Sequence, residues 1–286
     1  MMQTLIDYFS TMPSFHRSIL LVGGILFFWI IEGFQPLFRF KGHNKWKHAL
    51  TNIFFTLTTA VVNLSLAFVM VKLSDWTVVH HFGYMQWMSE FPLPIVLITG
   101  LALMDLISAY SIHYLNHKVK WFWLFHLIHH TDTHVDTTTA NRHHPGESFL
   151  RLFATTIGVF LMGAPIWMIF LYQSLSVILS QFNHANIVLP KKVDKILSWV
   201  IVTPNMHHVH HHFQQPLTDT NYGNIFSIWD RIFGTYAEAD NSKLVYGVDT
   251  HMEPMENSRV ANLLKIPFQE YRDIKEINKK EEVSNT

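Results

Sequence analysis

The chain contains no cysteine. That single absence excludes disulfides, thiolate-ligated zinc, iron–sulfur clusters and a cysteine nucleophile. Charge is scarce as well. Only 15% of the 286 residues are charged, and the 21 basic and 21 acidic side chains cancel. A neutral chain has no electrostatic footprint for a nucleic-acid partner. Internal repeats and low-complexity blocks are missing. No small-residue cleavage site follows the first apolar run, Ser18 to Ile31, so that run is expected to remain as a membrane span.

What the chain has in abundance is apolar surface and histidine. Hydrophobic residues make up 49%, and 20 histidines stand beside the 21 lysines and arginines. Four apolar stretches are long enough to matter for a bilayer, where ~20 helical residues cross the hydrocarbon. They run from Ser18 to Phe38, from Ala49 to Val71, from Phe91 to Asp105 and from Leu152 to Phe182. The third is expected to continue as a helix through Tyr110 to His113. The fourth is too long for one straight crossing, and Gly163-Ala164-Pro165 breaks it. A helical hairpin that enters and returns is the expected form.

Charge gives the direction. Arg39, Lys41, Lys45 and Lys47 follow the first span, whereas Lys72 with Asp75 and Glu90 follows the second. The positive-inside rule places the first loop in the cytosol and the second outside. Span three then returns to the cytosol near His113. The segment from Lys118 to Glu147 and the chain after Asn183 are mixed and polar, and read as a cytosolic cap. From Gln269 onward the expectation is a solvated helix and a frayed terminus.

Three histidine clusters fall at that cytosolic side: His113-x-x-x-His117, His126-x-x-His129-His130 and His207-x-x-His210-His211. Residues three and four apart share a helix face, so each spacing gathers its imidazoles. Eight imidazoles are too many for one metal and suit two. Neutral nitrogen donors favour iron, copper, zinc or nickel over magnesium or calcium. No acidic residue lies inside any cluster, so a carboxylate-bridged bundle built on Glu-x-x-His units does not fit. A zinc-protease helix does not fit either, because position 127 is leucine where the base would stand. His16, His43, His48, His80, His81 and His251 are isolated and read as ordinary polar groups. His134, His208 and His212 lie beside the clusters but off their spacing, and are left out.

The residues Asp105, Tyr110, His113, His117, Trp123, His126, His129, His130, the run Thr139-Ala140-x-Arg142-x-His144-Pro145, and Glu147 resemble the fatty acid hydroxylase/sterol desaturase superfamily. The resemblance resumes at Asn183-His184-Ala185-Asn186 and at Thr203-Pro204-Asn205-Met206-His207-x-x-His210-His211. It closes at Asn221-Tyr222-Gly223 and Trp229-Asp230-Arg231-Ile232-Phe233-Gly234-Thr235. It implies an O2-dependent hydroxylation or desaturation of a membrane lipid. It also implies two iron ions held by the three clusters, with His184 and His144 as further ligands. His144 is preferred to its neighbour His143 because it precedes Pro145, as in that family. Electrons must come from a separate donor: a ferredoxin, cytochrome b5, or reduced pterin as in the alkylglycerol monooxygenase branch. Without cysteine no ferredoxin is fused to the chain.

The expected whole is an all-α integral membrane protein with about four transmembrane helices, the last a hairpin, and a cytosolic helical cap carrying a histidine-cluster dimetal site. Residues 1–90 would supply N-terminal spans, 91–240 the catalytic domain with spans and cap, and 241–286 a cytosolic tail. The membrane would be a bacterial inner membrane or, in a eukaryote, the endoplasmic reticulum. Two features keep two readings each. Trp229-Asp230-Arg231 either orients ligand histidines or seals the cap, and Glu147 is either a partner of a ligand or a helix-start charge. Phe27, Phe28, Trp29, Phe54 and Phe55 are expected at the spans and their interfaces, with a lipid channel as the alternative. The competing functions are a histidine-rich metal-binding or metal-transport protein and a haem protein with paired axial histidines.

Overall fold

The computed structural model describes residues 2–40 and 44–272. His43 and the greater part of the expected solvated tail lie outside the described residues. Among the described residues the protein is helical, with isolated bridges at Pro36–Ile187, Ile201–Phe226 and His212–Tyr246 and no strand. It is an all-α membrane protein.

A short helix α1 (Met2–Ser10) precedes α2 (Ser14–Phe34) and α3 (Lys45–Val79). After the small α4 (Tyr84–Trp87) comes α5 (Leu93–Asp105). A π-helical turn, Leu106–Tyr110, leads it directly into α6 (Ser111–Lys118). Three segments are long and apolar enough to cross a membrane: Ser14–Phe34, Lys45–Trp87 and Leu93–Lys118. Val22, Leu26, Ile30, Leu57, Val61, Leu64 and Ile98 project outward from them and stay exposed. That apolar exterior suits lipid, where a soluble surface would carry charge.

The fourth apolar stretch forms the expected hairpin. Helix α8 (Pro145–Met162) ends at Gly163, whose φ of 57° is left-handed, and α9 (Ile166–His184) returns. A β-carbon on Gly163 would stand 2.1 Å from the Phe82 carbonyl oxygen, so glycine permits both the conformation and the close approach. Pro165 then starts α9 without an orphaned donor. The hairpin packs along α3, α5 and α2. Its apolar core holds Met104, Val159, Met162, Met168, Ile169 and Tyr172, and α1 adds Leu5 and Phe9.

At 35 residues α3 is roughly 52 Å long at 1.5 Å per residue, well beyond ~30 Å of hydrocarbon. Its first turns pack against the cap. His48 donates to both oxygens of Asp132 at 2.9 and 2.8 Å, and Asn52 donates to Asp132 and Thr138 at 3.2 and 2.9 Å. The isolated position of His48 in sequence hides this role: it is half of a buried ion pair rather than a surface group. The fully buried Arg142 donates to Asn52, Ile128, Thr131 and Asn257, joining α3 to the cap interior. Glu32 near the end of α2 accepts from the Thr137 and Asn186 amides at 2.8 and 3.0 Å and pairs with Lys45 at 3.1 Å. The cap itself is built from α7 (Lys120–His130), a 3₁₀ turn at Thr137–Asn141, α10 (Lys191–Leu197), α11 (Pro204–His210), α12 (Ile228–Ile232), α13 (Pro254–Asn257) and α14 (Val260–Lys265).

Candidate metal centre

All three histidine clusters meet at one end of the helices. Helix α6 presents His113 and His117, α7 presents His126, His129 and His130, and α11 presents His207, His210 and His211. His184 closes α9 beside them. The imidazoles sort into two groups. His113, His117, His126, His130 and His210 offer donor atoms within 4.8 Å of one another, and so do His129, His184, His207 and His211. At metal–nitrogen bonds of roughly 2.0–2.1 Å, ligands on opposite sides of one ion are ~4.2 Å apart. Each group therefore has about the span of a single coordination sphere.

Helix geometry explains the sorting. Within His126-x-x-His129-His130 the i, i+4 pair His126 and His130 joins the first group, while His129, about 100° away from His130, joins the second. His207-x-x-His210-His211 does the reverse: His207 and His211 serve the second group and His210 the first. Each unit thus faces both groups, and the groups abut. The rings of His130 and His211 stack at 4.8 Å across the boundary.

The outer nitrogens are held by oxygen. Nδ1–H of His113 donates to the Tyr222 carbonyl at 2.8 Å, His210 to the Thr220 carbonyl at 2.7 Å and His184 to the Ser180 carbonyl at 2.8 Å. His126 donates to Glu147 at 2.8 Å and His117 to Asp219 at 3.2 Å. Each bond leaves an Nε2 lone pair facing inward. The Nε2 atoms of His113, His117, His126 and His210 are buried and have no protein partner. In the second group the Nε2 of His184 lies 3.1 Å from that of His129 and 3.1 Å from that of His207. One lone pair on His184 cannot satisfy two neighbours, whereas two nitrogens at right angles on one ion would be ~3.0 Å apart. Neither nitrogen of His130 or His211 has a partner. Burial holds the imidazoles of His126, His129, His130, His207, His210 and His211 well below the ordinary histidine value. They are neutral, which is the form a metal requires. Orphaned, desolvated lone pairs in such numbers fit a pair of cations.

Of the ten histidines expected at the centre, the structure brings nine into these two groups. His144 lies outside both. Its Nδ1 accepts from the Gly146 amide at 3.0 Å and so caps the start of α8, and its ring packs on Phe125 and Phe268. His143 is the nearer of the two neighbours, with its ring 5.1 Å from that of His129. His208 turns away to the Tyr246 hydroxyl and the His184 carbonyl.

The motif residues with two readings take different roles. Glu147 reaches His126 directly. Asp230 touches no imidazole. It accepts from the Tyr222 and Gly223 amides at 2.7 and 2.9 Å, and so shapes the turn whose carbonyl holds His113. Asp105 likewise stays off the imidazoles and accepts from the Ile225 and Phe226 amides at 3.2 and 3.0 Å. Asp219 was not singled out by sequence. It stands 102 residues from His117 in the chain and belongs to no histidine spacing.

Two cavities border the centre. One is small, about 20 Å³, and lies between the two groups, where His113 and His126 of the first and His129, His184 and His207 of the second meet Ala109 of the π turn and Arg151 of α8. The other is a cleft of about 370 Å³ on the cap side, where His117 and Trp123 meet Lys118, Lys120, Asp219 and Tyr271.

Residues 97–235 match the fatty acid hydroxylase family model. An ornithine lipid hydroxylase, OlsE, of Rhizobium tropici is 26% identical over 151 residues, covering 52% of this chain and 44% of that protein. Alkylglycerol monooxygenase of Homo sapiens is 32% identical over 146 residues, 50% of this chain and 30% of that one. Cholesterol 25-hydroxylase-like protein 1, member 2, of Danio rerio is 28% identical over 172 residues, 55% and 60% respectively. The chain thus spans less than two thirds of each of these relatives. No solved structure matches it significantly.

Proposed function

From a chain whose residues 97–235 belong to the fatty acid hydroxylase/sterol desaturase superfamily, we propose a membrane-bound, O2-dependent di-iron oxidoreductase that hydroxylates or desaturates a lipid C–H bond. The observation that carries this reading is the pair of adjoining all-histidine donor groups, five imidazoles and four, made from helices that also form the membrane core. The relatives' names point to different lipids, yet each names a hydroxylase, a monooxygenase or a hydroxylase-like protein.

The redox chemistry that an unactivated C–H bond demands comes from the bound metal pair and dioxygen, because acid–base side chains do not supply it. The protein's own residues do the rest. His113, His117, His126, His130 and His210 hold one ion, and His129, His184, His207 and His211 hold the other. Glu147, Asp219 and the carbonyls of Ser180, Thr220 and Tyr222 keep the Nδ1 protons in place, so the Nε2 lone pairs point inward before any ligand arrives. Burial around them excludes bulk water. The lipid enters from the bilayer side. Electrons from a separate donor, protein or small molecule, enter at the cap-side cleft, where Trp123 packs 4.9 Å from the His117 ring.

The active site faces the cytosol, of a bacterial inner membrane or of the endoplasmic reticulum, as the charge asymmetry of the first two loops supports. The test is metal analysis of the purified protein combined with ¹⁸O2 turnover of a total lipid extract followed by mass spectrometry. Two irons per chain, with an oxygen gained or two hydrogens lost on one lipid class, are expected. A Soret band, or tightly held zinc with ion flux in vesicles and no O2 consumption, would replace this reading with the haem or transport alternative.

A further inference from the structure

The small cavity between the two histidine groups is polar, and besides imidazoles it is lined by one charged side chain, Arg151. Six of its lining residues are histidines of or beside the centre, and the others include Arg151, Ser180 and Asn224, with Ala109, Ala140 and Gly223 giving room. Arg151 lies on α8, a helix whose outer row, Phe149, Phe153, Ile157 and Leu161, is exposed on the lipid-facing side. Its side chain is only 27% exposed, and among the described residues no hydrogen bond satisfies its guanidinium. Its ion-pair contact among the described residues is long, 3.9 Å from Nη1 to Glu147 Oε1, and that oxygen is already engaged with His126 at 2.8 Å.

A largely buried guanidinium is costly unless something pairs with it. A methyl terminus in the cavity would leave it with only the long Glu147 contact. An anionic oxygen would pair with it in the fork geometry that arginine offers. At about 20 Å³ the cavity admits little more than a water-sized group, so a single oxygen of the anion, and not a whole carboxylate or phosphate, enters it beside the histidines.

We propose that Arg151 is a specificity residue that binds an anionic oxygen, carboxylate or phosphate, of the lipid, so that the polar end of the molecule and not its chain terminus lies at the metal pair. This rests on the lipid-oxidation reading and names the class of substrate within it.

The test measures binding as well as turnover, on the full chain in nanodiscs. Radiolabelled oleate is compared with oleyl alcohol, and phosphatidate with diacylglycerol, for the wild type, Arg151→Gln and Arg151→Lys. In the wild type the anionic member of at least one pair should bind about tenfold or more tighter than its neutral partner. Which pair responds separates carboxylate from phosphate. In Arg151→Gln the difference should vanish with metal content unchanged, and Arg151→Lys should restore it only in part. Equal binding of both members of both pairs by the wild type would overturn the proposal. So would a preference that survives Arg151→Gln, or loss of metal with equal loss of both lipids, which would mean that Arg151 acts only through Glu147. Anion preference without any lipid oxidation would leave the subsite standing and remove the oxygenase reading. Oxidation without anion preference would do the opposite.

Discussion

Glu147 and Asp219 do for His126 and His117 what main-chain carbonyls do for His113, His184 and His210: they fix which nitrogen carries the proton. Replacing such a partner leaves the ligand present but free to turn. Glu147→Gln and Asp219→Asn should therefore each weaken metal binding about 10- to 100-fold while the helices remain folded. Competition with a chelator checks this. Removing a donor is more severe. His129→Ala or His210→Ala should abolish turnover and lower the metal content, with membrane insertion unchanged. Wild-type turnover in either variant would take that residue out of the centre. His80 is exposed, and its ring bonds to the Trp76 carbonyl and stacks on the Trp76 ring, so His80→Ala should be close to neutral in activity. The gathering of the imidazoles was legible from spacing, because residues three and four apart share a helix face whatever surrounds them. Their oxygen partners were not. Asp219 and the Tyr222 carbonyl reach α6 from about 100 residues further along the chain, and no local pattern records that.

At the scale of the element, the long apolar stretch shows how much a break in the pattern conveys. Gly163-Ala164-Pro165 marks the reversal because a left-handed residue and a proline cannot both sit inside one helix. The same turn packs against Phe82 and Gly83, at the far end of the second span from the histidines. Gly163→Ala should strain both the backbone and this contact, and lower stability by about 1–3 kcal/mol. A thermal unfolding scan in detergent measures it. Unchanged Tm would mean that the turn relaxes freely. The π turn at Leu106–Tyr110 was not legible. It widens the helix by one residue, and Ser111 answers with a bond from Oγ to the Leu106 carbonyl at 2.8 Å. Hydrophobic periodicity does not distinguish that bulge from an ordinary turn.

At the scale of the molecule, membrane core and metal centre are joined by a buried polar network between α3 and the cap. Asp132 receives His48, Asn52 and Thr139, and Arg142 bonds to Asn52 beside it. Asp132→Ala leaves buried donors without an acceptor and should cost about 3–5 kcal/mol. The unfolding midpoint reports that cost, and a loss under 1 kcal/mol would show the network to be dispensable. Acid should loosen the cap for a separate reason. Burial lowers His251 to about 4, with Arg272 adding to the effect. The folded value lies below the unfolded one, so stability is complete above pH ~6.5 and falls as the pH drops toward 4. The loss from this residue is about 2 kcal/mol between pH 7 and pH 5. His251→Asn should flatten that part of the pH dependence of Tm.

The sequence by itself determined the helices, the apolar spans, the hairpin and the gathering of imidazoles on three helical faces, since periodicity and spacing are local properties. Only the tertiary structure decided that the donors divide five and four, that His144 caps a helix while His143 lies beside the centre, and that His48 is buried against Asp132. Those outcomes depend on how helices distant in the chain are rotated and docked. Packing of whole surfaces sets that rotation, and no stretch of residues carries it alone.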